Sequence, residues 1–212
     1  MAMKRAAIGI RVHSGWGALV ALYGEPGSEE IIERCRVEII EPGSPGAAQP
    51  YHFAEKMNLT DAEKHIARCA TESRRLACER LQEITVGLRD RGFGVANSTI
   101  LLAAGRALPP LPQVLTSHAL IHAAEGEFFR QVFRAALEAL KFPVIGIPER
   151  ELQQRALAVF GRAAGQTSAR IEAMGRSLGP PWTQDQKAAA LAAALVLAGN
   201  ERHKQRHQRA GG

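Results

Sequence analysis

The chain has 212 residues, of which 46% are hydrophobic and 23% are charged, and its formal net charge is +6. A chain of this size and composition buries enough surface to fold without a structural metal or a disulfide framework. No apolar run reaches the roughly 18 residues of a membrane span, and the three cysteines form no CxxC pair and indicate reduced thiols. We therefore expect a cytoplasmic protein that makes no membrane contact.

Three strands are predicted at the start of the chain. The apolar runs at 6–12 and 16–23 are separated by three residues that include Gly15, a connection suited to a tight β-hairpin. A third run at 31–40 alternates apolar and polar side chains after a turn-rich segment. Together they predict a three-stranded antiparallel meander, followed by an irregular Pro- and Gly-rich loop at 41–52.

Helices and strands alternate through the rest of the chain. The pattern predicts, in order, a helix at 60–91, a strand at 95–103, a helix at 117–141, a strand at 143–148, helices at 149–160 and 167–178, and a last helix at 185–199. Thr60 and Glu63 have the spacing of a capping box for the first of these helices. Because each late strand follows a helix, parallel pairing is favoured. The sequence predicts an α/β fold with a mixed five-stranded sheet, helices on both faces, a single domain at 1–200 and a basic, disordered tail at 201–212.

This element order resembles the ribonuclease H-like fold, and its layout is most similar to that of Holliday-junction resolvases of the RuvC type. The segment AIGIRVHSGWGALVAL is similar to the first hairpin of that family, and DQKAAALAAALVLAG is similar to its last helix. The resemblance implies a site in which several carboxylates hold two divalent metals that stabilise the attacking and leaving oxygens.

The residues at the family's acidic positions depart from that pattern. Arg11 stands where the resemblance places the central acid of the first strand, and its positive charge repels a cation. Residues 101–106, after the fourth strand, contain no acid. Asp185 alone stands near a family position, and its place in the first turn of the last helix is also explained by the helix dipole. Two-metal nuclease chemistry is therefore not expected; a divalent metal is possible but not favoured.

Three polar residues share one face of the helix at 117–141. His118 and His122 are four residues apart, which allows two imidazoles to chelate one transition metal, and Glu125 follows on the same face as a candidate general acid or base. The HExxH motif is absent because Ala119 takes the position of its glutamate. An ordinary polar helix start explains the same residues.

Two arginines and a histidine are candidates for binding an anionic ligand. Arg11 ends the first strand and Arg106 follows the fourth, and parallel neighbours of this kind end at the same edge of a sheet. Their guanidinium groups are predicted to flank one cleft and to bind phosphate or carboxylate, with His52 from the long loop as a further candidate. Two unrelated surface arginines are the alternative.

Three functional hypotheses follow from these patterns. The first is a non-catalytic protein that binds nucleic acid or another anion through its basic surface and tail. The second is a metal-dependent nuclease or hydrolase with a nonstandard site, in which Glu125 and Asp185 are catalytic and His118 and His122 bind the metal. The third is a protein-interaction module. The sequence assigns no substrate and no oligomeric state.

Overall fold

The structure, a computed structural model, describes residues 2–105 and 107–210, with side chains described through Gly199. The five strands are β1 (Lys4–His13), β2 (Trp16–Tyr23), β3 (Glu30–Glu38), β4 (Phe93–Leu102) and β5 (Val144–Pro148). The helices are α1 (Pro50–Ala54), α2 (Leu59–Asp90), α3 (Leu111–Leu115), α4 (His118–Ala139), α5 (Leu152–Phe160), α6 (Ala164–Leu178) and α7 (Gln184–Ala210). Helix α7 includes residues 201–210, which the sequence analysis assigns to a tail, and the division into domain and tail stays a prediction.

The strands form one mixed sheet in the order β3-β2-β1-β4-β5. β1 pairs antiparallel with β2, and β2 with β3, whereas β1 and β4 pair in parallel, as do β4 and β5. The sheet is centred on β1, in which Ile10 lies opposite both Leu19 of β2 and Ile100 of β4. The predicted meander followed by parallel strands is therefore confirmed.

Alternation along β1 divides its side chains between the two faces of the sheet. Ile8 and Ile10 pack into the core beneath α2 and α4, together with Phe129 and Phe133. Ala7 packs on the opposite face, against α7. Arg11 has the same parity as Ala7, so the strand directs its guanidinium toward the α7 face.

Helix α7 lies unusually close to the sheet because both surfaces are built from small residues. A Cβ added at Gly9 would stand 2.0 Å from the carbonyl oxygen of Ala189, so any larger residue at position 9 would push the helix away. Residues 189–198 of α7 are all buried. An alanine-rich helix that is buried on all sides can therefore come close to the backbone of the sheet. This contact fixes the distance between the first turns of α7 and strand β1.

Two local predictions are wrong in detail. Asn58, and not Thr60, caps α2: its Oδ1 accepts a hydrogen bond from the N–H of Asp61 at 3.0 Å. The predicted loop at 41–52 gives way to α1 at Pro50, whose ring occupies the first turn where the missing N–H is not needed. The capping prediction failed because Asn58, two residues before Thr60, offers the same capping chemistry.

Cys35, Cys69 and Cys78 are unpaired thiols, and burial raises the pKa of Cys35 to about 12. Across the described residues, no helix combines the length and hydropathy that crossing a membrane requires.

Candidate functional site

The carboxyl ends of β1 and β5 and the start of α7 bring four charged or ionisable residues together. Parallel strands end at the same edge of a sheet, so Glu149, directly after β5, lies near Arg11 at the end of β1. The Nη2 of Arg11 lies 2.7 Å from the Oε1 of Glu149, and its Nη1 pairs with the Oδ1 of Asp185. His13, two residues beyond Arg11, completes this arginine cluster of Arg11, His13, Glu149 and Asp185.

Asp185 is positioned by the start of α7. Thr183 donates its backbone N–H to the Oε1 of Gln186 at 2.8 Å, which is one of the two hydrogen bonds of a capping box. The Nε2 of His13 lies 3.3 Å from the Oδ1 of Asp185 but lacks the geometry of a hydrogen bond. The imidazole of His13 instead stacks on the indole of Trp16, with ring centroids 4.3 Å apart.

Both carboxylates of the arginine cluster are paired with Arg11. One guanidinium bridges two carboxylates, and the side chains of Arg11 and Asp185 are only 27% and 22% exposed. An arginine has five N–H donors in a planar fork, which suits it to hold two carboxylates at once. Asp185 and Glu149, the two acids that could bind a metal ion here, are therefore already paired with the guanidinium of Arg11.

A second group forms where α1 meets the start of α4. His118 and His122 lie one turn apart on α4, and His52 reaches them from α1. The ring centroids of His52 lie 5.3 Å from those of His118 and 4.6 Å from those of His122. We call His52, His118, His122 and the adjacent Glu125 the histidine cluster.

Glu125 is the buried member of the histidine cluster. Its Oε1 accepts the backbone N–H groups of Tyr51 and His52 at 2.8 and 3.0 Å and lies 3.2 Å from the Nδ1 of His52. Its Oε2 is buried without a hydrogen-bond partner. Burial raises the pKa of Glu125 above its ordinary value, although the hydrogen bonds from His52 and Tyr51 act in the opposite direction.

The structure divides the predicted site residues between these two clusters. His52 was grouped with Arg11 as an anion ligand, but it lies with His118 and His122. Asp185 and Glu125, the two candidate catalytic acids, share no hydrogen bond or ion pair in the described part of the chain. The predicted partner of Arg11, Arg106, lies outside the described residues. Among the described residues these side chains therefore form two groups that share no hydrogen bond or ion pair, and their assignment to one site or to two stays a prediction.

Two contributors to the clusters were missed by sequence reasoning. Glu149 was treated only as the start of a helix, although an acid placed directly after a parallel strand is a usable signal for this edge of the sheet. The backbone N–H groups of Tyr51 and His52 carry no signal in the sequence, because their role depends on where α1 packs against α4.

Comparison with known proteins gives structural similarity without sequence similarity. No protein-family model and no curated protein sequence matches the chain. A solved structure of Thermus thermophilus RuvC in complex with a Holliday junction substrate is similar, with a TM-score of 0.55, 11% identity, and coverage of 94% of this chain and 96% of that one. A second Thermus thermophilus RuvC structure has a TM-score of 0.51, 11% identity, and coverage of 93% and 96%. Identity this low shows the fold alone, and the chain therefore has the ribonuclease H-like fold, with RuvC-type resolvases as structural neighbours, as its element order predicted.

Proposed function

We propose that this protein binds nucleic acid on a ribonuclease H-like scaffold without two-metal nuclease chemistry. The observation that carries the proposal is the guanidinium of Arg11, held between Asp185 and Glu149 at the end of β1. The resemblance places a metal-binding acid at this position. The positively charged guanidinium of Arg11 therefore occupies the position of a negatively charged metal ligand.

The donor set at this edge of the sheet does not fit two magnesium ions. A divalent cation about 4 Å from a unit positive charge is repelled by about 8 kcal/mol at an effective dielectric constant of about 20. Asp185 and Glu149 are both engaged by Arg11, and residues 103–105 after β4 offer no carboxylate. Magnesium also needs near-octahedral oxygen ligation, for which these residues are too few.

Charge and structural similarity support nucleic acid as the partner. The formal net charge is +6 and the sequence pI is about 9.6, as expected for a protein that neutralises phosphates. Four basic residues fall in the last twelve positions: Arg202, Lys204, Arg206 and Arg209. One of the similar RuvC structures contains a Holliday junction, which makes branched DNA the first ligand to test here.

Fluorescence anisotropy with a labelled four-way junction and a linear duplex of equal length tests the proposal at two salt concentrations. We expect both to bind at low salt, with affinity falling steeply as salt rises, and neither to be cut in the presence of Mg²⁺. Replacing the four basic residues near the carboxyl end by Gln should lower the slope of log K against log salt by about 3 to 4, since each phosphate contact contributes about 0.9.

A charge-matched variant separates tail contact from overall charge. It carries Gln at four exposed basic positions of α2: Lys64, Arg74, Arg80 and Arg89. If phosphate contact is concentrated near the carboxyl end, this variant should keep most of the wild-type slope. Magnesium-dependent cleavage by the wild-type protein would contradict the proposal, and absence of binding to either DNA at low salt would favour a protein-interaction module.

A further inference from the structure

Three imidazoles from two separate helices converge in the histidine cluster. One nitrogen each of His52, His118 and His122 lies within 4.8 Å of the other two. The Nε2 atoms of His118 and His122 are only 2.9 Å apart. Among the described residues, this is the only group of three or more His, Cys, Asp or Glu side chains whose ligand atoms are this close.

These separations suit a tetrahedral metal ion. A zinc–nitrogen bond is about 2.0 Å long, so two imidazole nitrogens on one tetrahedral ion are about 3.3 Å apart. The 2.9 Å separation of His118 and His122 is slightly shorter than that value, and the nitrogen of His52 lies within 4.8 Å of both, so small side-chain rotations bring all three nitrogens to it. The spacing of His118 and His122, one helical turn, is a known chelating arrangement.

Glu125 orients the third imidazole. Its Oε1 lies 3.2 Å from the Nδ1 of His52 and also accepts the backbone N–H of the same residue, which fixes the start of α1 against α4. A carboxylate acceptor at Nδ1 keeps the proton on that nitrogen and leaves the lone pair on Nε2. Metal-binding histidines commonly have a carboxylate in this role, because it selects the tautomer and strengthens the ligand.

The second carboxylate oxygen of Glu125 gives an independent indication of a cation. Glu125 is only 4% exposed, and its Oε2 is buried without a hydrogen-bond partner. A buried carboxylate normally has its charge compensated, because an unpaired buried charge is costly. In the described structure no arginine or lysine pairs with Glu125, and a metal ion held by the neighbouring imidazoles supplies the missing positive charge.

We propose that His52, His118 and His122 bind one divalent transition metal, with Zn²⁺ as the first candidate, and that Glu125 is a positioning residue for His52. Nitrogen ligands favour zinc and related ions over magnesium. Three protein ligands leave the fourth tetrahedral position open, and His118 and His122 are exposed, so water or a ligand oxygen can reach it. The proposal does not depend on nucleic-acid binding.

Titration calorimetry of the metal-free protein with Zn²⁺, combined with cobalt substitution and visible absorption, tests the site. We expect one ion per chain and a tetrahedral cobalt spectrum. His52→Ala, His118→Ala and His122→Ala should each weaken zinc affinity by at least about 100-fold, and Glu125→Gln by about 10- to 100-fold, with a shifted cobalt spectrum. The melting temperature of each metal-free variant shows whether it is folded.

His203 and His207 provide the matched control, because they have the same i, i+4 spacing near the carboxyl end. Replacing both by Ala should leave zinc affinity and stoichiometry unchanged. Zinc binding that disappears with this control, or that is unaffected by His52→Ala in a folded variant, would overturn the three-histidine site. Absence of stoichiometric zinc, cobalt or nickel binding to the wild-type protein would overturn it as well.

Discussion

The arginine cluster and the histidine cluster contain similar residue types but differ in whether their carboxylates are already paired with a cation of the chain. In the arginine cluster, Arg11 provides a cation that Asp185 and Glu149 share. The histidine cluster contains three imidazoles and a buried carboxylate, Glu125, which forms no ion pair with an arginine or lysine among the described residues. In the arginine cluster both carboxylates are engaged by a guanidinium, whereas the histidine cluster offers imidazole lone pairs and a carboxylate without such a partner. The presence of an arginine that engages the carboxylates therefore separates a structural polar cluster from one that can receive a ligand.

The two clusters are also supported by opposite faces of the sheet. The arginine cluster depends on α7, which packs against Ala7 and its neighbours, while α4 packs on the other face against Ile8 and Ile10. Substitutions on one face should therefore change one cluster and leave the other intact.

The largest effect is expected where α7 contacts the sheet. Gly9→Ala places a Cβ 2.0 Å from a backbone oxygen of α7, which cannot rotate away, so we expect the free energy of unfolding to fall by about 3 kcal/mol. Zinc affinity of the folded fraction should change little. Chemical denaturation and calorimetry measure the two quantities. Gly87→Ala, in α2 with nothing within 4 Å of the added Cβ, is the control and should stabilise by about 0.5–1 kcal/mol. Equal stability of Gly9→Ala and wild type would show that the helix is not held this closely.

A smaller effect is expected from changing the charge of the arginine cluster. Arg11→Asp removes two ion pairs and leaves three carboxylates close together, so the metal-free variant should lose about 1–3 kcal/mol of stability. It should gain magnesium binding, because oxygen ligands suit that ion. Titration calorimetry with Mg²⁺ is informative because magnesium discriminates against the imidazoles of the other cluster. Arg11→Gln should lose stability without gaining magnesium, and magnesium binding by wild type at this edge would contradict the account of a closed cluster.

The smallest effect is expected at the start of α2, next to the helix that carries His52. Asn58→Ala removes the side-chain cap of α2 and should cost about 1 kcal/mol. Because the ring of Phe53 in α1 stacks on that of His65 in α2, loosening this helix start should also weaken zinc affinity by a few-fold. Thr60→Ala, at the position first predicted to cap the helix, should change neither quantity by more than experimental scatter. A larger loss for Thr60→Ala than for Asn58→Ala would reverse the assignment of the cap.

Much of the fold could be predicted because its signals are local. The apolar runs of β1, β2 and β3 and the 3.6-residue period of α2 and α4 are properties of short segments, and the alternation of strands with helices favoured parallel pairing. The errors lie at ends, where neighbouring residues such as Asn58 and Thr60 offer equivalent chemistry. The ends of helices and strands depend on tertiary contacts with distant residues, which the sequence of a short segment does not reveal.

The candidate sites could be predicted only in part. His118, His122 and Glu125 lie on one helix, so their spacing alone placed them on one face, and the cationic Arg11 was visible as a departure from the expected acid. The union of Arg11 with Asp185, 174 positions away, required the packing of α7 against β1. The union of His52 with His118 required α1 to dock on α4. Sequence by itself determined the helices and strands and the charges that they carry, whereas tertiary structure decided which charged side chains meet. The reason is that local periodicity fixes the face on which a side chain lies, and only long-range packing fixes what lies opposite that face.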